Sequence, residues 1–210
     1  MAVTLTTSNT LLGTLASRTQ GNGHALGQVA RGLATVVLGT VFLTLCSKIN
    51  VPVWPVPVTL QTFGVAALAA AFGWRIGLAT VAAYILEGLL GLPVFAGMAA
   101  GPAYLFGPTG GFIVSWLLVA LIVGRAADMG LSRRLLPLFG VLLLGDAVSF
   151  AFGYAWLVAF LSAAKGVAPA AVTGAAFDGA IKPFIVWDIL KMAFAAVSVA
   201  GAWTVVRRKA

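Results

Sequence analysis

Hydrophobic positions in this chain come in long unbroken runs. They show neither the alternation of a half-buried strand nor the i, i+3, i+4 stripe of a surface helix. Leu33 to Ser47 carries no charge between Arg31 and Lys48 and predicts a first membrane span. The uncharged stretch after Lys48 opens with VPVWPVPV, and Pro52, Pro55 and Pro57 exclude a helix interior there. Residues 49–58 are therefore expected as an extended loop, with a second span from about Thr59 to Phe72. A third span is predicted from about Ile76 to Leu90 and contains Glu87. The segment GLPVFAGMAAGPAYLFGPTGG that follows is punctuated by Gly and Pro and predicts a second loop. Further spans are predicted from about Thr109 to Ala126, Leu135 to Leu161 and Pro183 to Val206. Thr109 is placed to cap its helix, and Pro183 suits a first turn.

The pattern predicts an all-α integral membrane protein, a compact bundle of six transmembrane helices with lid loops on the outward side. Composition agrees: of 210 residues 61% are hydrophobic and 9% charged, against roughly 25% charged in a soluble domain. Several spans are shorter than the roughly 20 residues a bilayer core requires, and 25 glycines favour close helix packing. Three regions are expected: a flexible cytoplasmic tail over 1–28, the membrane domain over 29–207, and a short cytoplasmic tail over 208–210.

The net charge of +8 does not imply nucleic acid, because the cations sit in short clusters between apolar runs. Arg18, Arg31, Arg75, Arg125, Arg133, Arg134, Arg207, Arg208 and Lys209 all fall on one side of a six-span topology. Lys48, Lys165 and Lys182 fall on the other. The positive-inside rule makes the first side cytoplasmic and places both termini there. The single cysteine, Cys46, and the single histidine, His24 in the polar tail, argue against a disulfide framework or a metal site. GPTGG at Gly107–Gly111 lacks the Gly-Lys-Ser/Thr that completes a phosphate loop. No catalytic triad, paired-carboxylate metal motif or zinc motif is present, so neither an enzyme nor a cofactor is expected.

What remains is a handful of polar residues in apolar surroundings. Asp188 and Lys191 stand at i, i+3 and share a helix face, about two turns into the last span. They either neutralise each other or bind opposite ends of a polar ligand. Gln61, at the start of the second span, offers a donor and an acceptor, to a ligand or to a neighbouring backbone. Tyr104 in the second loop pairs an apolar body with a polar tip. Glu87 and Trp187 are further candidates, each with an ordinary interfacial reading, and Trp54 and Phe95 are candidate apolar walls. Asp146 lies about eleven residues into the fifth span, roughly 16 Å at 1.5 Å per residue. It is either a hydrogen-bonded helix contact or a proton- or cation-coupling carboxylate. Together these groups suit a small ligand with an anionic end, N–H donors and an apolar middle.

The motifs VPVWPVPVTLQTFGV, GLPVFAG, GPTGGF, FGYAWL and WDILK occur in this order, and the chain thereby resembles the biotin-specific substrate-binding (S) components, BioY, of energy-coupling-factor (ECF) vitamin transporters. The resemblance covers roughly residues 30–205. It implies capture of biotin at the outer face of the cytoplasmic membrane. It also implies a transmembrane coupling protein and a pair of cytoplasmic ATPases as partners, although some members of the family are thought to act without a dedicated module. A homo-oligomer is the alternative where the protein acts alone. The resemblance carries ligand contact to Asp188 and Lys191. The ureido N–H groups of biotin want an acceptor and its valerate carboxylate a cation. Asp188 is accordingly assigned to the ring and Lys191 to the acid, with the reverse pairing open. Gln61 and Tyr104 follow from their places in motif-bearing segments. Ala30 and Ala34 match the small residues four apart that dock the coupling protein in such transporters. Leu38 ends that stripe. The competing function is a self-sufficient secondary transporter of biotin or a similar organic acid, ion-coupled through Asp146.

Overall fold

The computed structural model describes residues 9–11, 13–14 and 25–208. Six principal helices form the bundle: α1 (Ala25–Lys48), α2 (Gln61–Phe72), α3 (Trp74–Leu89), α5 (Gly110–Asp128), α6 (Leu135–Lys165) and α8 (Ile185–Arg208). Two short helices, α4 (Pro102–Leu105) and α7 (Thr173–Ala180), lie in the connections α3–α5 and α6–α8. Four of the principal helices are long and apolar enough to cross a membrane, while α2 and α3 are shorter. At 1.5 Å per residue α2 spans only about 18 Å, well under the ~30 Å of a bilayer core. It is preceded by an antiparallel hairpin that pairs Asn50 with Thr59 and Val51 with Val58. The proline-rich segment expected as extended loop is the turn of this hairpin, and its Trp54–Pro55 bond is cis.

Only Gly73 separates α2 from α3. Its φ of +84° is open to glycine and strained for other residues, and an added Cβ would run into the Asp128 carboxylate and the Thr10 side chain. Gly124 lets α5 cross against this corner, because a Cβ there would meet the Trp74 backbone. Both glycines bring α5 to the middle of the bundle. Two-thirds (67%) of its apolar window is buried, against 28% for α1, α6 and α8, whose remaining faces suit lipid. Exposed Leu33, Val37, Leu38, Val41 and Leu45 line such a face on α1.

An even number of principal helices puts both chain ends at one end of the bundle and the ornate connections at the other, here the terminal end and the loop end. Part of the segment expected as a tail lies against the terminal end. Asn9 donates to the Asp128 carbonyl (2.9 Å) and accepts from Arg133 (3.0 Å), Thr10 is buried, and Leu11 joins the core. Arg133 also stacks over Trp203, whose indole N–H donates to Ser132. Residues 1–8, 12 and 15–24 of the expected N-terminal tail, Arg18 and His24 among them, lie outside the described residues, as do Lys209 and Ala210.

Three local expectations change. The last helix starts at Ile185, so Pro183 belongs to the turn before it and Asp188 sits in the first turn, not two turns in. Thr109 occupies the N-cap position of α5 without capping it; its hydroxyl donates to the Tyr104 carbonyl instead (3.4 Å). The loop after the fifth span is shorter than expected, because α6 continues to Lys165 and α7 fills part of the remainder.

Candidate functional site

The hairpin and five helices converge at the loop end on a cavity with about 40 Å³ of free space. Gln61 and Thr62 enter from α2, Tyr104 from α4, Trp116 from α5, Asp146 and Ser149 from α6, and Asp188 and Lys191 from α8. Thr62 and Lys191 meet here although 129 positions separate them in sequence.

Asp188 and Lys191 are in direct contact as a salt bridge, with side chains 3% and 11% exposed. Thr62 reinforces the pair, donating its hydroxyl to Asp188 Oδ1 (3.3 Å) and lying 3.5 Å from Lys191 Nζ. The pair thus neutralises itself and also faces the cavity. Asp188 shows one oxygen to Lys191 and Thr62, which leaves the other for a further donor. Burial of two charges is tolerable in this arrangement because each has its counter-charge and a hydroxyl.

Gln61 is buried and lines the cavity, and one of its two amide N–H groups donates to Tyr84 Oη (2.6 Å). Tyr84 in turn donates to the Val94 carbonyl (2.5 Å) in the loop after α3. Gln61 therefore joins the cavity to that loop, and its amide oxygen and second N–H are left for a ligand. Tyr104 stacks on Phe95 with centroids 5.1 Å apart, and Phe95 meets Tyr84 edge-on at 5.7 Å. This stack fixes the Tyr104 ring at the rim. Burial pushes the Tyr104 phenol above its ordinary range, so it stays a hydroxyl donor near neutral pH.

Asp146, unexplained in the sequence, stands on the same cavity, 6% exposed and within electrostatic reach of both Asp188 and Lys191. Glu87 is not brought to the cavity; it is half-buried on α3 near the Leu92 turn. Trp187 is 60% exposed and lines a neighbouring apolar groove of about 420 Å³ with Val51, Val58 and Leu60. Thr59 and Lys191 belong to both spaces, so Lys191 stands where the polar cavity meets the apolar groove. Trp54 is exposed and lines a third space between the hairpin and α4. Ala30 and Ala34 are exposed on α1, in the half nearer the terminal end and away from the cavity.

Thr62, Tyr84, Trp116, Ser149 and Lys48 were not singled out from the sequence as participants. Trp116 and Ser149 look like ordinary residues of apolar helices and show their position only in three dimensions. Lys48, read from sequence as an outer topology charge, donates to the carbonyls of Pro93 (2.5 Å), Phe95 (3.0 Å) and Gly97 (2.5 Å). Ser47 adds a bond to the Phe95 carbonyl (3.2 Å). The end of α1 thus clamps the loop that supports Tyr104. A lone lysine ending a charge-free run was the available signal. Among the described residues no three His, Cys, Asp or Glu side chains gather where they could hold a metal ion.

Six principal helices, four of them long and apolar enough to cross a membrane, with a polar cavity under the loops at one end, define a helical membrane protein with a candidate ligand site. A solved structure of the S-component for biotin from an ECF-type ABC transporter has the same fold, with a TM-score of 0.72 at 23% identity over 88% of this chain and 95% of that one. The model of the BioY family matches residues 14–208, and the chain belongs to that family. A probable biotin transporter BioY of Pyrococcus horikoshii is 34% identical over 168 residues, 80% of this chain and 93% of its own. Biotin transporter BioY2 of Lactococcus lactis is 32% identical over 61% of this chain and 70% of its own. The chain is a multi-pass membrane protein of a transporter family and not an enzyme.

Proposed function

We propose that this protein captures biotin at the loop end of the bundle and takes it up across the cytoplasmic membrane as the substrate-binding component of an ECF-type transporter. The observation that carries the reading is the buried Asp188–Lys191 pair on a cavity with Gln61 and Tyr104. A zwitterionic pair with spare donors and acceptors suits a ligand with an acid at one end and a neutral polar ring at the other. Lys191, at the mouth of the apolar groove, meets the valerate carboxylate. The free Asp188 oxygen and the Gln61 amide oxygen face the ureido N–H groups, and the Tyr104 hydroxyl closes the rim.

The free space of about 40 Å³ suits a few waters and is smaller than a bicyclic vitamin. Ligand entry therefore requires the walls to part, and the loops over the cavity are the walls least bound by helix packing. Both termini are on the cytoplasmic side, which follows from the arginine clusters at that end. Partners are a transmembrane coupling protein, reached through the exposed Ala30–Ala34 face of α1, and two cytoplasmic ATPase subunits. No cofactor is needed, because ATP is hydrolysed by those subunits.

Calorimetry on the detergent-purified chain tests this directly. Biotin binds without ATP, and Asp188→Asn or Lys191→Ala weakens it at least ~30-fold, the effect of unpairing a buried charge. Unchanged affinity in both variants overturns the site, and absence of biotin binding by the unmodified chain overturns the ligand.

A further inference from the structure

Most polar atoms around the cavity are already used. Thr62 serves Asp188 and Lys191, and one Gln61 N–H serves Tyr84. The Ser115 hydroxyl donates to the Phe112 carbonyl (2.6 Å), so the 2.9 Å bond between Ser115 and Ser149 takes its proton from Ser149. Besides the free Asp188 oxygen and Gln61 amide atoms, two further groups are unpaired. The Trp116 indole N–H is buried and has no hydrogen-bond partner, in a residue 5% exposed. The Asp146 carboxylate accepts no hydrogen bond from any described residue. Both residues line the main cavity and also a smaller one of about 10 Å³ beside it, together with Thr62, Ser149 and Met192. An unpartnered donor and an unpartnered acceptor therefore border the same space, on the adjacent helices α5 and α6. A polar group left unsatisfied in a dry interior is destabilising.

We propose that Trp116 and Asp146 form a second recognition pair in the cavity, complementary to the adjacent C=O and N–H of a cyclic urea or amide, and that this pair selects the head of the ligand. This rests on the biotin reading and deepens it. The indole N–H donates to the ureido carbonyl, Asp146 accepts one ureido N–H and the second is left to the Asp188 and Gln61 oxygens, while Lys191 holds the acid. A site built on hydrogen-bonding groups rejects analogues that leave those groups unpaired far more strongly than an apolar pocket rejects a missing methylene. The smaller cavity is at the lower bound for a single water, which could partner the same two groups without reading any ligand.

The experiment compares biotin with 2-iminobiotin, in which a protonated imine replaces the carbonyl, and with an analogue methylated at the ureido nitrogens. Wild-type protein is predicted to bind biotin at least ~10-fold more tightly than either. Trp116→Phe keeps the ring and removes the N–H. It should weaken biotin about tenfold with little effect on 2-iminobiotin, so the preference between them collapses. Asp146→Asn should weaken biotin similarly and reduce the penalty of N-methylation. A purely structural role moves all ligands together and leaves these ratios unchanged. That result, or a bridging water alone, overturns the pair while biotin binding itself survives. Wild-type protein that binds biotin and both analogues equally also overturns it, with no variant needed. If wild-type protein does not bind biotin, the functional reading fails first.

Discussion

Asp188 and Lys191 could be recognised in the sequence because their relation is local. A spacing of three on one helix forces both side chains to the same face whatever the rest of the chain does. Their energetic role is not local. Removing one partner leaves an uncompensated buried charge, so Lys191→Ala or Asp188→Ala should lower stability by about 3–5 kcal/mol. Replacing both with apolar residues of similar size, Asp188→Leu with Lys191→Met, should recover most of that loss while biotin binding stays absent. Thermal unfolding in detergent with and without biotin separates the two effects. Tyr84 illustrates the opposite case. It passes for an apolar-helix aromatic in sequence, yet it links Gln61 to the Val94 carbonyl. Tyr84→Phe breaks both bonds at once and should cost about 1–3 kcal/mol of stability, with a measurable loss of biotin affinity because the Gln61 amide is no longer held.

At the scale of elements, charge-bounded apolar runs located all six principal helices to within a few residues except where ends are set by tertiary contacts. The first helix begins earlier than expected and the fifth runs longer. The connections were legible as loops, since clustered Pro and Gly exclude long helices there. Their attachment was not. Lys48 reaches 45 to 49 residues along the chain to hold the Pro93–Gly97 carbonyls. Lys48→Met removes these charge-assisted bonds and should leave the helices intact. Amide exchange across Pro93–Gly101 is expected to rise about tenfold, and bound biotin to leave faster, by stopped-flow release. Gly73 is the corresponding hinge at the terminal end. Gly73→Ala puts a side chain at positive φ and against Asp128, and should reduce the yield of folded protein more than Gly174→Ala, where open space surrounds the position.

For the whole molecule, the even helix count and the one-sided arginine clusters make a topological prediction. A fluorescent-protein fusion at either terminus should fold and fluoresce, and an alkaline phosphatase fusion after Gly97 should be active. An inactive phosphatase fusion there would reverse the proposed orientation. The family to which the chain belongs was also legible in the sequence, because its motifs are short, ordered and spread over most of the length.

Membrane residence, helix number and the Asp188–Lys191 pair were determined by sequence alone, since each follows from local hydrophobicity, charge asymmetry or helical periodicity. Which polar residues share a cavity was decided only in three dimensions. Asp146 and Trp116 lie on different helices; Asp146 stands out in the sequence as a carboxylate in an apolar span, but nothing along the chain shows that it and Trp116 border one cavity. Close crossing of α5 past Gly73 and Trp74, the packing of α6 against it and the packing of α8 against α2 and α6 bring them together with Asp188. The reason is that a hydrogen-bonding site is defined by which partners remain unused, and that depends on every neighbour contributed by the whole bundle.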